Sequence, residues 1–187
     1  MAIPVPGHIV RDLQTAPTKE YYDAYHSLNA RLDEIVSCGA EFLIKNGFNA
    51  YANTTKTVKQ NEEWRTPLPH KTVATRAGLG WIGKRRDLLV TKEYGSAIRL
   101  SSLVTDAPLP FGFSSHQESM RHLRHLCEKL SCNGSDRAFM EPRNKTGRAL
   151  PPRNLLQHTT SAYEESTGIE ADLCGLCFAV CPYTQNG

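Results

Sequence analysis

No apolar run in this sequence approaches the ~20 residues needed to cross a bilayer, so no membrane partner is expected. The start, Met1-Ala2-Ile3-Pro4-Val5-Pro6, carries neither a basic n-region nor an apolar h-region, and an export signal is not expected there. Charge of one sign is also scarce. The net charge of +3 is too slight to argue for nucleic acid by itself. Apolar residues at 40% and charged residues at 22% describe an ordinary globular chain, and 187 residues suffice for one core with a small appendix.

What the chain does have is an uneven set of cysteines. There are six, and three form Cys174-Gly175-Leu176-Cys177-Phe178-Ala179-Val180-Cys181-Pro182. With no export signal, this clustering favours metal ligation in a reducing cytoplasm over disulfides. The pattern C-x2-C-x3-C-P is the second half of a ferredoxin-type iron–sulfur signature. A C-x2-C turn lets two sulfurs reach one cluster, and the proline that follows has no N–H to satisfy. Three cysteines cannot hold a four-iron cube alone. Cys132 or Cys127 is the simplest fourth ligand, whereas in two-cluster ferredoxins the cysteine before the proline ligates the other cluster. Cys38, beside Gly39 in a helical pattern, reads as a small core residue.

Helix and strand signals alternate through the first 110 residues. Ile3–Val10 alternates apolar residues with Pro and Gly and reads as a short edge strand. Pro17 and Thr18 open a long helix, with Tyr21, Tyr25, Leu28, Leu32, Ile35, Val36 and Leu43 on one apolar stripe and Asn46-Gly47 as a left-handed cap. Phe48–Ala52 is a predicted strand, Asn53–Thr66 a polar loop and His70–Ala77 a helix. Leu88–Thr91 and Ala97–Val104 are β-rich. An α/β or α+β layered domain over residues 1–110 is the natural reading. Between Ser114 and Thr160 lie twelve Lys, Arg or His residues and four acids, with sparse apolar residues. A basic, low-order connector is expected over 111–165. His122, His125, Cys127 and Cys132 lack the spacing of a zinc site. The basic stretch fits RNA phosphates in charge but has few aromatics for base stacking.

The loop Ala77-Gly78-Leu79-Gly80-Trp81-Ile82-Gly83-Lys84 matches G-x-G-x-x-G in spacing but not in context, because a helix rather than a strand precedes it. Nor is it a P-loop, since Arg85 stands where Ser or Thr would bind magnesium. On spacing alone it is a tight turn carrying a tryptophan, either packed in the core or open to close ligand approach.

This loop, with Gly95-Ser96, Leu103-Val104-Thr105-Asp106 and Cys174–Pro182 followed by Tyr183, resembles the epoxyqueuosine reductase family. The likeness extends to related double-cluster iron–sulfur proteins and, more distantly, to corrinoid reductive dehalogenases. It implies a cobalamin-binding domain over 1–110 and a partial ferredoxin-like segment with a 4Fe-4S cluster over 166–187. It also implies a loop at Gly78, Gly80, Trp81, Gly83 and Lys84 lying against the corrin, and an electron donor such as a ferredoxin or flavodoxin. A tRNA substrate would suit the basic stretch. Three departures stand out. The family's first cluster motif, C-x2-C-x2-C-x3-C-P, is absent. So is its acidic proton donor ahead of the glycine loop, where His70 is the candidate replacement and a helix-terminal histidine without chemistry the alternative. The family pattern also reaches further ahead of Ile3. These departures leave three expectations open: an epoxyqueuosine-reductase-like oxidoreductase using iron–sulfur electrons and cobalamin, a 4Fe-4S electron carrier without chemistry of its own, or a shortened, cofactor-deficient homologue with a structural or no catalytic role.

Overall fold

The computed structural model describes residues 1–59, 61, 66–83, 88–110, 164–165, 167–171 and 173–185. The expected connector therefore lies outside the described residues except for Glu164 and Glu165, and Lys84, Cys127 and Cys132 lie outside them too.

The chain starts with β1 (Ala2–Pro4) and α1 (Gly7–Asp12), then enters the long helix α2 (Lys19–Lys45). The sequence alternation over Ile3–Val10 thus does not make one strand. Pro6 has no N–H for a ladder and caps a helix whose Ile9, Val10 and Leu13 are buried at helical spacing. α2 begins as expected, Thr18 Oγ1 accepting a hydrogen bond from the Tyr21 backbone N–H at 3.2 Å. It ends at Asn46, with Gly47 at φ 87°. Its buried stripe runs through Tyr21, Leu32, Val36 and Ala40, four-residue steps beyond Leu32. Cys38 falls midway between Val36 and Ala40 and is exposed, not a core residue.

β2 (Ala50–Asn53) follows, somewhat later than the predicted strand at Phe48–Ala52, because Asn49 is held in the connection by Asp106. Next come α3 (His70–Arg76), β3 (Trp81–Ile82), β4 (Leu89–Val90), β5 (Ile98–Leu100) and β6 (Ser102–Thr105). Every strand pair among the described residues is antiparallel: β1 with β5, β2 with β6, β3 with β4. This is a mixed helix-and-sheet fold of the antiparallel kind. The β-rich run Ala97–Val104 divides at Ser101. There the side-chain Oγ donates to the Asn53 carbonyl at 3.1 Å and the backbone N–H donates to the Met1 carbonyl at 3.1 Å. One continuous segment thereby serves β1 on one side of Ser101 and β2 on the other. α2 lies across β1, β2, β5 and β6.

The C-terminal residues form α4 (Leu176–Ala179) and α5 (Pro182–Gln185). They do not sit apart. Phe178 and Ala179 share one buried cluster with Val5, Ile9, Val10, Leu13, Tyr21 and Ala97. Leu13 is fully buried there, a burial that stabilises by roughly 1.5–3 kcal/mol.

Candidate functional site

The cysteine segment is shaped by a glycine. Gly175 takes φ 72° to open α4, and a Cβ there would lie 3.0 Å from Leu13 Cδ1, 3.0 Å from Tyr21 Cε1 and 3.1 Å from Phe178 Cζ. The left-handed φ favours glycine here, and an added Cβ would also make Leu13, Tyr21 and Phe178 give way where the Cys174–Cys177 turn meets them. Cys174 and Cys177 are half-buried, Cys181 is 1% exposed, and none of the three is in a disulfide. Tyr21 lies beside them with its ring edge-on to Phe178 at 5.5 Å. Burial pushes the Tyr21 hydroxyl well above its ordinary pKa. Arg99 pulls it down, and the nearby sulfurs of Cys177 and Cys174 push it up again.

The donor set suits an iron–sulfur group in chemistry, being all thiol. In number it is partial: no group of three or more His, Cys, Asp or Glu side chains converges on one point among the described residues. Cys174 and Cys177 both act on the Tyr21 hydroxyl, whereas Cys181 points into the core.

The segment is anchored to the front layer at Gly95. A Cβ at Gly95 would fall 2.3 Å from Thr184 N and 2.4 Å from Tyr183 C, so the two backbones touch. Beside this contact the Ser96 backbone N–H donates to Thr184 Oγ1 at 2.9 Å, and the two hydroxyls stand 3.3 Å apart. Tyr183 meets Trp81 edge-to-face, with ring centroids 5.3 Å apart. The end of the cysteine motif and the glycine loop are therefore in direct contact.

Within that loop, Gly78 at φ 75° ends α3, and Gly80 has no room for a Cβ, which would lie 2.1 Å from the Val90 carbonyl oxygen. Gly80 is thus glycine because β4 passes over it, and the packed-turn reading accounts for this position. Gly83 N–H donates to the Leu88 carbonyl at 2.9 Å and closes the β3–β4 connection. Packing does not account for Trp81 Nε1. Among the described residues it is shut off from solvent without a hydrogen-bond partner, as is Thr66 Oγ1. A buried donor in that condition costs about 1–3 kcal/mol unless something accepts from it.

His70 opens α3 half-buried, its Nδ1 2.7 Å from Ser102 Oγ, with Asn53 Nδ2 3.5 Å from the same oxygen. Burial, followed by neighbouring positive charges including Arg99, lowers its pKa, while Asp33 opposes them. A proton-donor role needs the cationic form, which this setting disfavours. Sequence reasoning missed Tyr21, Arg99 and Thr184 as parts of the site, and Ser102 and Asn53 as partners of His70. No local pattern marks them, since each contact joins distant parts of the chain.

A mixed helix-and-sheet layer carrying a thiol-rich segment against a tryptophan loop is the class this geometry defines; no helix among the described residues is long and apolar enough to cross a membrane. No family model matches the chain. It is 28% identical over 120 residues to an epoxyqueuosine reductase of Synechocystis sp., covering 64% of this chain and 41% of that protein. It is 30% identical over 116 residues to the epoxyqueuosine reductase of Listeria monocytogenes, covering 61% and 29%. A tetrachloroethene reductive dehalogenase of Sulfurospirillum multivorans is 30% identical over 121 residues, with 60% and 23% covered. The chain thus spans 23% to 41% of the length of these relatives. Among solved structures, epoxyqueuosine reductase with a modified tRNA stem loop aligns at a TM-score of 0.55 and 19% identity, covering 84% of this chain and 39% of that one. The resemblance read from the sequence holds: this chain is similar to epoxyqueuosine reductases in sequence and in fold, and to a reductive dehalogenase in sequence.

Proposed function

We propose that the protein is an iron–sulfur redox protein of the epoxyqueuosine-reductase type, with Cys174 and Cys177 holding a 4Fe-4S cluster. Cys181 is a third ligand, to the same cluster or to a neighbouring one, and Cys127 or Cys132 completes the set. The observation that carries this reading is the junction at Gly95. There the cysteine segment, the glycine loop and the front core form one contiguous body through Tyr183, Thr184 and Trp81. A redox group held at the cysteines would lie one packed layer from anything bound at the loop.

Gly78, Gly80, Trp81, Gly83 and Lys84 are the proposed walls of a cobalamin site, and the unpaired Trp81 Nε1–H supports a polar ligand there. Bound cobalamin would supply a cobalt centre able to take single electrons and reduce a substrate. The residues of this chain exclude water at Trp81 and keep the two sites in register. A ferredoxin or flavodoxin is the proposed electron donor. A tRNA is the proposed macromolecular substrate, supported by the tRNA stem loop in the solved relative and by the Arg- and His-rich stretch of this sequence. His70 remains a weaker candidate for proton transfer.

The test is anaerobic reconstitution of wild type, Cys174→Ser and Cys177→Ser. The wild type is expected to gain a broad absorbance near ~400 nm that both variants lose. An unaltered spectrum in the variants overturns the ligand assignment. Added cob(II)alamin is expected to quench Trp81 fluorescence in a Trp64→Phe background, and an unchanged emission removes the corrinoid part of the reading.

A further inference from the structure

We propose that Ser102 and Asn53 are positioning residues that hold His70 as the neutral tautomer with its hydrogen on Nε2, so that His70 donates a hydrogen bond to an acceptor oxygen of a ligand lying over α3 and the glycine loop. The place of that ligand rests on the reading that the loop is a cofactor wall; the tautomer rests on three contacts. Asn53 Nδ2 lies 3.5 Å from the Leu68 carbonyl oxygen and 3.5 Å from Ser102 Oγ. A carbonyl only accepts, so the amide edge turned to both is the NH2 group. Ser102 Oγ thereby accepts from Asn53, and its own hydrogen is left for His70 Nδ1, 2.7 Å away. Ser102 is 3% exposed, and His70 Nδ1 is the one acceptor for its hydroxyl among the described residues. A hydrogen on Nδ1 would leave the Ser102 O–H buried and unpaired, the costly arrangement.

The network is fixed from behind. Asn53 stands opposite Ser102 in the β2–β6 register, and its carbonyl accepts from Ser101 Oγ at 3.1 Å. Burial, then the Met1 ammonium and Arg99, hold the His70 pKa below the ordinary imidazole value against the pull of Asp33, so the ring is neutral at neutral pH. On the far edge of the ring, Nε2 meets no acceptor among the described residues, and it is not one of their solvent-excluded polar atoms, so it opens outward. This tautomer offers one hydrogen outward and no lone pair. Its partner is therefore a carbonyl, carboxamide or hydroxyl oxygen, and the role takes the place of proton transfer at His70. The seven residues of α3 put roughly 10 Å between His70 and the glycine loop. A corrinoid, whose rim carries carboxamides, is large enough to meet both ends.

The experiment is heteronuclear NMR of the imidazole nitrogens in the nitrogen-15-labelled full chain, with the His70 signals identified by their loss in His70→Gln. The wild type is expected to show a bare Nδ1 and a protonated Nε2 at neutral pH. A hydrogen on Nδ1, or a cationic ring, overturns the proposal, and this result needs no variant to fold. Ser102→Ala is expected to mix the tautomers. Asn53→Asp is expected to move the hydrogen to Nδ1, because a carboxylate accepts from Ser102; an unmoved hydrogen in folded Asn53→Asp overturns the part given to Asn53. Cob(II)alamin is then titrated against Trp81 emission in a Trp64→Phe background. His70→Ala is expected to weaken binding about 3–10-fold, and His70→Gln, which keeps an N–H of similar reach, to stay within about twofold. Unweakened binding by His70→Ala overturns the donor role. A parent protein that binds no cob(II)alamin overturns the corrinoid reading instead, and the tautomer spectra still decide the roles of Ser102 and Asn53.

Discussion

Replacing Gly95 by alanine probes the junction between the two ends of the chain. The native φ of 56° is left-handed, which costs an L-residue about 1–2 kcal/mol. The new methyl would also collide with Thr184 N at 2.3 Å and Tyr183 C at 2.4 Å, both main-chain atoms that cannot rotate away. Overpacking of that kind costs a further ~1–3 kcal/mol. The expected loss is therefore about 2–5 kcal/mol, or roughly 4–20 °C in Tm for a chain of this size. Gly47→Ala is the matched control: φ is 87°, but nothing lies within 4 Å of the added Cβ, so only the conformational cost of about 1–2 kcal/mol is expected. Urea unfolding followed by circular dichroism gives both losses. Trp81 emission in a Trp64→Phe background reports whether Tyr183 has left its ring. Equal destabilisation of the two variants, with Trp81 emission unchanged, would refute the contact between Gly95 and the cysteine segment.

Other substitutions test single links. Thr18→Ala removes the α2 cap and is expected to cost about 1 kcal/mol in urea unfolding, with the midpoint falling and the slope unchanged. Leu13→Ala opens a cavity beneath Gly175 in a fully buried site and is expected to cost about 2–5 kcal/mol by the same assay. The lowered pKa of His70 means that the unfolded chain binds its proton first as pH falls. Its contribution is thus fully present above the ordinary imidazole pKa of about 6.5 and is lost as pH drops through the interval beneath it. His70→Gln is expected to flatten that part of the stability-versus-pH curve; an unchanged slope removes His70 as its cause. Asp106 behaves similarly at lower pH. Hydrogen bonds from Asn49 depress its pKa, so Asp106→Asn is expected to weaken the acid-dependent loss below the usual carboxylate range.

Features set by neighbours in sequence were legible before the structure. The Thr18 and Asn46-Gly47 ends of α2 and the helix at His70 depend on local spacing and capping chemistry and stand as expected, while the α2 stripe stands in part, since Tyr21, Leu32 and Val36 are buried but Ile35 is exposed. The resemblance carried by the glycine loop and the cysteine run also survived comparison. What failed was local pattern overridden by distant contact. Pro6 turned an apparent strand into β1 and α1, and Ser101 broke a β-rich run because its side chain is needed by Asn53. The reason for Gly80 was likewise hidden: Val90 crosses it from a later strand. Tyr21 read only as one member of an apolar stripe. Its importance comes from a turn that follows it by some 150 residues. Leu13, Gly95 and Thr184 belong to the same class, their roles fixed by what folds onto them.

The most direct test of the central claim is iron and acid-labile sulfide per chain after strictly anaerobic reconstitution, wild type beside Cys174→Ser. About four irons and four sulfides are expected for each cluster held by the wild type, with a large loss in the variant. A folded wild type that remains free of iron and sulfide would contradict the account.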